Sequence, residues 1–198
     1  MKEFWNERYA ADEYIYGKEP NKFFKSQIDS LKQGKILLPG EGEGRNAVYA
    51  ASLGWQVLAY DQSEKGRSKA LQLAEEKEVT IDYRIGSILD IHVEKGSVDA
   101  IGLVYFHLVQ EARKRYHAYL ADILAPGGMI ILEVFSKKQI NNDSGGPKDL
   151  DLLYSLDDII QDFDGLEHVY AAEETVNLSE GPFHQGKADV IRFAAKKI

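Results

Sequence analysis

The chain has 198 residues, 44% of them hydrophobic, which is the size and apolar content of one ordinary globular domain. Its net charge of −8, with lysine and arginine scattered or merely paired as in Lys137–Lys138 and Lys196–Lys197, excludes a phosphate backbone as an expected partner. The absence of cysteine excludes disulfides, thiolate catalysis and cysteine-held metals. No apolar stretch approaches the roughly 20 residues of a membrane span, and Met1–Ala10 has no apolar run, so a soluble cytoplasmic protein is expected, alone or as a homodimer.

Residues 1–33 are polar and aromatic, and a helix is predicted where Phe23, Phe24, Ile28 and Leu31 share a stripe. Gly17 and Pro20 interrupt regular structure before it. A rhythm then starts. "KILLP" reads as a buried strand and "NAVYAASLG" as a helix stopped at Gly54. "QVLAYD" is a second strand, "SEKGRSKALQLAEEKEV" a helix, "TIDYRI" a third strand and "SVDAIGLVYF" a fourth. "EARKRYHAYLADIL" is a helix closed by "APGG", and "MIILEVF" a fifth strand. Strands alternating with helices predict an α/β domain with a mostly parallel sheet covered on both faces. "SKKQINNDSGGPKDL" is a long polar loop, "LDDIIQDF" a short helix, and two extended stretches flank "SEGPFHQG", a hairpin-like connection. A single domain over 1–198 is expected, with 1–33 as a helical cap.

Gly40, Gly42 and Gly44 lie just after the first strand and before a helix, where open α/β sheets bind ligands. Two cofactor classes compete for this loop. Gly42-x-Gly44-x-x-Ala47 satisfies the dinucleotide fingerprint, with Asp61 near the position of a ribose carboxylate. The looser Gly40-x-Gly42-x-Gly44 with the same Asp61 suits S-adenosylmethionine. Glu41 and Glu43 would repel a pyrophosphate and favour the cationic sulfonium. Asp61-x-x-Glu64 also reads as a helix capping box, and Asn46 as an N-cap.

Five blocks carry a family resemblance: "WNERYAADEYIYGKEPN", "LPGEGEGRNAVYAASLGWQVLAYDQS", "GSVDAIGLVYFHL", "LAPGGMIILEVFS" and "GGPKDLDLLYSLDDI". Together they resemble class I S-adenosylmethionine-dependent methyltransferases, most of all the tellurite-resistance and thiopurine-methyltransferase-like branch. The resemblance implies a three-layer, Rossmann-like, seven-stranded sheet whose last strand is antiparallel. It implies that Gly40, Gly42 and Gly44 make room for the methionine part of the cofactor and that Asp61 holds the ribose. Gln62, Ser87 and Ile88 would lie around the adenine, and Tyr105, Phe106 and His107 would face cofactor and acceptor. Leu38 stands where the family usually carries an acid, and Glu41 is the candidate replacement for ordering the loop. Ser87 stands where an acid often receives the adenine amino group.

Methyl transfer needs a positioned acceptor, excluded water and, for some acceptors, a base. His107 is the candidate base, with His184 in "GPFHQG" on the same expected face. Tyr16, beside Tyr14 and Gly17, is the second candidate catalytic residue and falls in a segment that covers the cofactor in the resembling family. Arg45 is expected to pair with Glu41 or the cofactor carboxylate; Glu133 ends the fifth strand, facing either the pocket or solvent. His92, His117 and His168 read as surface or partial core. No metal-ligand spacing is present, so no metal is expected. The function expected is methyl transfer to a small molecule; the alternatives are a nicotinamide-dependent oxidoreductase and an S-adenosylmethionine-binding protein without turnover.

Overall fold

A computed structural model describes residues 2–87 and 92–198. Seven strands form one sheet: β1 (Lys35–Pro39), β2 (Gln56–Asp61), β3 (Asp82–Ile85), β4 (Val98–Val104), β5 (Leu124–Phe135), β6 (Glu167–Ser179) and β7 (Gln185–Lys196). Their spatial order is β3-β2-β1-β4-β5-β7-β6. The first five pair in parallel, and β7 runs antiparallel to both β5 and β6. The helices are α1 (Lys2–Arg8), α2 (Lys22–Ile28), α3 (Arg45–Ser52), α4 (Glu64–Glu76), α5 (Gln110–Ile123) and α6 (Leu156–Asp162).

Alternation along the strands builds the layers. Ile36 and Leu38 face a core shared with Phe24 of α2, Ala47 of α3 and Leu73 of α4. Leu37 faces the opposite core, with Leu120 of α5 and Ile159 of α6. Every one of these side chains is at most 1% exposed, which explains why β1 reads as an unbroken apolar run. The order of winding reverses between β1 and β4, opening a crevice at their carboxyl ends. Gly40 follows β1 there and Tyr105 follows β4.

Two sequence expectations change. His117 is core, 1% exposed, with Nδ1 2.8 Å from Asp162 Oδ2. The polar stretch after β5 is not one open loop: Lys137–Asn141 and Leu150–Leu152 form 3-10 turns. Helix α3 opens directly on Gly44, whose φ is +88°. A Cβ there would lie 2.4 Å from the Ala70 Cβ on α4 and 2.8 Å from its Cα. Gly44→Ala therefore combines left-handed strain with a backbone clash, and urea unfolding should show a loss of about 1–3 kcal/mol.

Candidate functional site

The glycine loop is fastened from four sides. Glu41 N donates to Tyr60 O at 3.1 Å, and Gly42 N donates to Asp61 Oδ2 at 3.0 Å. Tyr83 Oη donates to Gly42 O at 2.6 Å. The Glu41 carboxylate turns back on the helix it precedes, accepting from Ala47 N at 2.7 Å. It thus ties the loop to the amide-lined start of α3. Burial pushes the Glu41 carboxyl up to about 7, against the pull of the Ala47 amide and the Arg45 charge.

Asp61 ends β2 beside this loop. Its Oδ1 accepts from Ser63 N at 2.8 Å, so the carboxylate joins the turn before α4 to the glycine loop. Burial raises its pKa, and the amides of Ser63, Gly42 and Gln62 offset only part of that. Asp61 is not the cap of α4: Ser63 is the N-cap and accepts from Gly66 N at 3.0 Å. The Asp61-x-x-Glu64 capping box is therefore not formed, and the Glu64 carboxylate pairs with Lys2 instead. Gln62 and Ser87 sit half-buried at the ends of β2 and β3; Ile88 lies outside the described residues.

Two aromatic rings rest on the loop. A Cβ on Gly40 would lie 2.3 Å from the Phe106 ring, and one on Gly42 would lie 2.6 Å from Tyr9 Oη. Both glycines have positive φ, +65° and +59°. Tyr9 stacks on Trp5 of α1 at 5.5 Å between centroids. The Phe106 and Tyr9 rings thus fill the space over the bare backbone, next to the Asp61 carboxylate that accepts from Gly42 N. A ligand laid on this backbone would have to displace them.

Arg45 and Asn46 reach from the start of α3 to the N-terminal segment. Arg45 Nη2 pairs with Glu180 Oε2 at 3.0 Å and Nη1 donates to Tyr16 O at 3.1 Å, while its charge also acts on Glu41. Asn46 is not the cap of α3, which is Gly44; its Oδ1 accepts from Asn21 N at 2.9 Å. Both side chains hold the segment between α1 and α2 over the crevice. Asn21 in turn donates to Glu133 Oε1 at 2.6 Å. Glu133 is 1% exposed rather than solvated, and it also accepts from Tyr105 Oη and Arg192 Nε, each at 2.6 Å. Tyr105 has a left-handed φ of +52°, a strained conformation for an aromatic residue. Glu133 holds it from both ends, since the Tyr105 amide donates to the Glu133 carbonyl at 2.7 Å.

The two candidate histidines part here. His107 Nδ1 donates to Leu152 O at 2.7 Å, and its Nε2 accepts from Phe135 N at 3.3 Å. Burial drives its pKa down to about 4. Both nitrogens are spent on backbone, so the ring acts as a neutral strut between β5 and the turn at Leu152.

His184 is different. It is 4% exposed and lies 4.5 Å, ring to ring, from both Tyr16 and Tyr105, and 5.5 Å from Phe135. Gly145 makes room for it: a Cβ there would meet the imidazole Cδ2 at 2.5 Å. Nδ1 stands 3.5 Å from Glu180 Oε2 and makes no closer hydrogen bond among the described residues. Burial lowers the His184 pKa more than Glu180 raises it, so the ring is neutral. Burial raises Glu180, but His184 and Arg45 together bring it down to about 2. Tyr9, Glu180 and Gly145 were missed in sequence, because nothing local marks the partner each meets across the fold.

Residues 36–128 match the family described as a methyltransferase domain. The chain is 29% identical over 113 residues to an uncharacterized methyltransferase of Schizosaccharomyces pombe, covering 56% of this chain and 77% of that one. Its fold is shared with a structure from work on converting a disulfide bond into a thioacetal group in echinomycin biosynthesis. That match has a TM-score of 0.80 at 17% identity, over 100% of this chain and 92% of the other. TehB from Haemophilus influenzae matches at 0.74 and 16%, over 100% and 67%. Magnesium protoporphyrin IX methyltransferase from Synechocystis PCC 6803, solved with bound SAH, matches at 0.71 and 14%, over 100% and 97%. The fold is the Rossmann-like one of S-adenosylmethionine-dependent methyltransferases.

Proposed function

We propose that this protein is an S-adenosylmethionine-dependent methyltransferase acting on a small molecule, of the tellurite-resistance and thiopurine-methyltransferase-like branch. The observation that carries the choice of cofactor is Glu41. A dinucleotide places its pyrophosphate on the amides that open the first helix. Here a carboxyl group of the chain itself occupies the Ala47 amide, so a pyrophosphate meets a filled site. A ligand with a sulfonium and an ammonium places no phosphate there.

Gly40, Gly42 and Asp61 would hold the cofactor, with Tyr105 and Phe106 against it. When bound, it supplies an electrophilic methyl carbon. The chain supplies the rest. Tyr16, Tyr105 and Phe135 exclude water around His184, and Glu180 beside Nδ1 favours the tautomer with its proton on that nitrogen. Nε2 would then be the nitrogen that takes the proton released by the acceptor. His107 positions strand β5 and the Leu152 turn. The aromatic cage and a neutral base suit a thiol, phenol or amine of modest size.

Calorimetry tests the cofactor. S-adenosylmethionine and S-adenosylhomocysteine should both give saturable heat and NADH none; the reverse pattern overturns the reading. Asp61→Asn should weaken S-adenosylhomocysteine about 10–100-fold, the value of a hydrogen bond to a charged group. Melting should change little, since the amide oxygen still accepts from Gly42 or Ser63. A large drop in melting with affinity retained would make Asp61 purely structural.

A further inference from the structure

We propose that Glu43 is a positioning residue that ties closure of the acceptor cage to an ordered glycine loop, so that cofactor binds first and acceptor second. This rests on the methyltransferase reading above. Glu43 belongs to the loop, yet its side chain is 4% exposed and turned away from the crevice. Its Oε2 accepts from Ile15 N at 2.9 Å and Tyr16 N at 3.3 Å. Its Oε1 stands 2.5 Å from Lys69 Nζ on α4. That ammonium also donates to Ala11 O at 2.8 Å and Glu13 O at 2.6 Å. One buried ion pair therefore pins four backbone groups, all between residues 11 and 16, to the loop and to α4.

The pin ends at the cage. Tyr16, held by Glu43 through its amide and by Arg45 through its carbonyl, lays its ring 4.5 Å from His184. Contact thus runs from the glycine loop through Glu43 to Tyr16 and on to the candidate base. The loop itself is built on three glycines of positive φ, the residue type with the most conformational freedom to lose. Glu43 meets the Ile15 and Tyr16 amides only when those dihedrals are set. A ligand that fixes the loop removes that ordering cost, and the cover then closes more readily. The acceptor meets a complete cage only afterwards.

Hydrogen exchange read by mass spectrometry, with S-adenosylhomocysteine as the probe, tests this. In the wild type the probe should slow exchange in 40–46 and also in 11–21. The variant Glu43→Leu with Lys69→Met removes the ion pair and the acceptor for the Ile15 and Tyr16 amides without leaving a lone buried charge. In it the probe should still protect 40–46 but no longer 11–21, and calorimetric affinity should persist. Protection of 11–21 that survives in the variant overturns the proposal, as does wild-type protection confined to 40–46. If the probe protects neither segment, the functional reading has failed. The pin is then judged without ligand: the variant must speed exchange in 11–21 while 40–46 stays as in the wild type, and unchanged exchange in 11–21 overturns it.

Discussion

Replacing His184 by alanine is expected to cut methyl transfer by about 10²–10⁴-fold, the usual worth of a positioned base, while S-adenosylhomocysteine binds as before. The expectation rests on the ring's setting: buried, neutral, enclosed by Tyr16, Tyr105 and Phe135, and with Nδ1 beside the Glu180 carboxylate. Transfer from labelled S-adenosylmethionine to a panel of thiols, phenols and amines measures it. Added imidazole should restore part of the rate in the alanine variant, which lost packing alone would not allow. Because burial holds the His184 pKa below its ordinary value, the wild-type rate should fall on the acid side only below the usual histidine range of about 6.5. The alanine variant should lose that limb. Full activity in His184→Ala would remove the base from the site, and matching loss in His107→Gln with no imidazole rescue would leave His107 as the strut its two backbone bonds describe.

The site was legible in sequence where chemistry follows chain order, and illegible where it follows contact. Gly40, Gly42, Gly44 and Asp61 announce themselves because a strand, a turn and a helix fix their places locally. The mostly parallel sheet was readable for the same reason, since strands that alternate with helices are joined by crossovers. The partners of the two loop glutamates were not. In sequence both are loop charges that bias against a pyrophosphate, with Glu41 a candidate for ordering the loop. In the fold Glu41 accepts from the Ala47 amide and Glu43 pairs with Lys69, 26 residues along the chain. The sulfonium preference survives on different grounds, a filled helix start rather than two repelling carboxylates. His107 and His184 show the same division. Both sit where the ligand face was expected, but only the folded chain shows that Leu152 and Phe135 consume one ring and that Gly145 clears space for the other.

Asp162→Ala is expected to cost about 3–5 kcal/mol, the usual result of stripping one member from a buried ion pair. Asp162 Oδ2 accepts from Arg113 Nε at 2.6 Å and lies 2.8 Å from His117 Nδ1; the three side chains are 1–3% exposed. They lock α5 to α6, with Asp158 of the Ser155 capping box also 3.3 Å from Arg113. Urea unfolding at neutral pH measures the loss, and a change below about 1 kcal/mol would mean that water or Asp158 replaces the carboxylate. Asp162→Asn should lose less, because its oxygen still accepts from Arg113. The pH dependence has a definite sign. Burial raises Asp162, but His117 and Arg113 overcome it and hold it low, so its stabilisation is complete above about pH 4 and disappears only in stronger acid. Burial lowers His117, His184 and His107, the last to about 4. In the unfolded chain each histidine takes a proton near pH 6.5, which the folded protein resists. Acid therefore favours unfolding from about pH 6.5 downward, by up to about 1.4 kcal/mol per pH unit for each histidine. Urea midpoints at pH 7.5, 6.5 and 5.5 should fall in that order. Asp162→Ala should fall more steeply, since His117 then loses the carboxylate that raises it. Midpoints that stay level from pH 7.5 to 5.5 would show that these rings do take up protons in the folded protein.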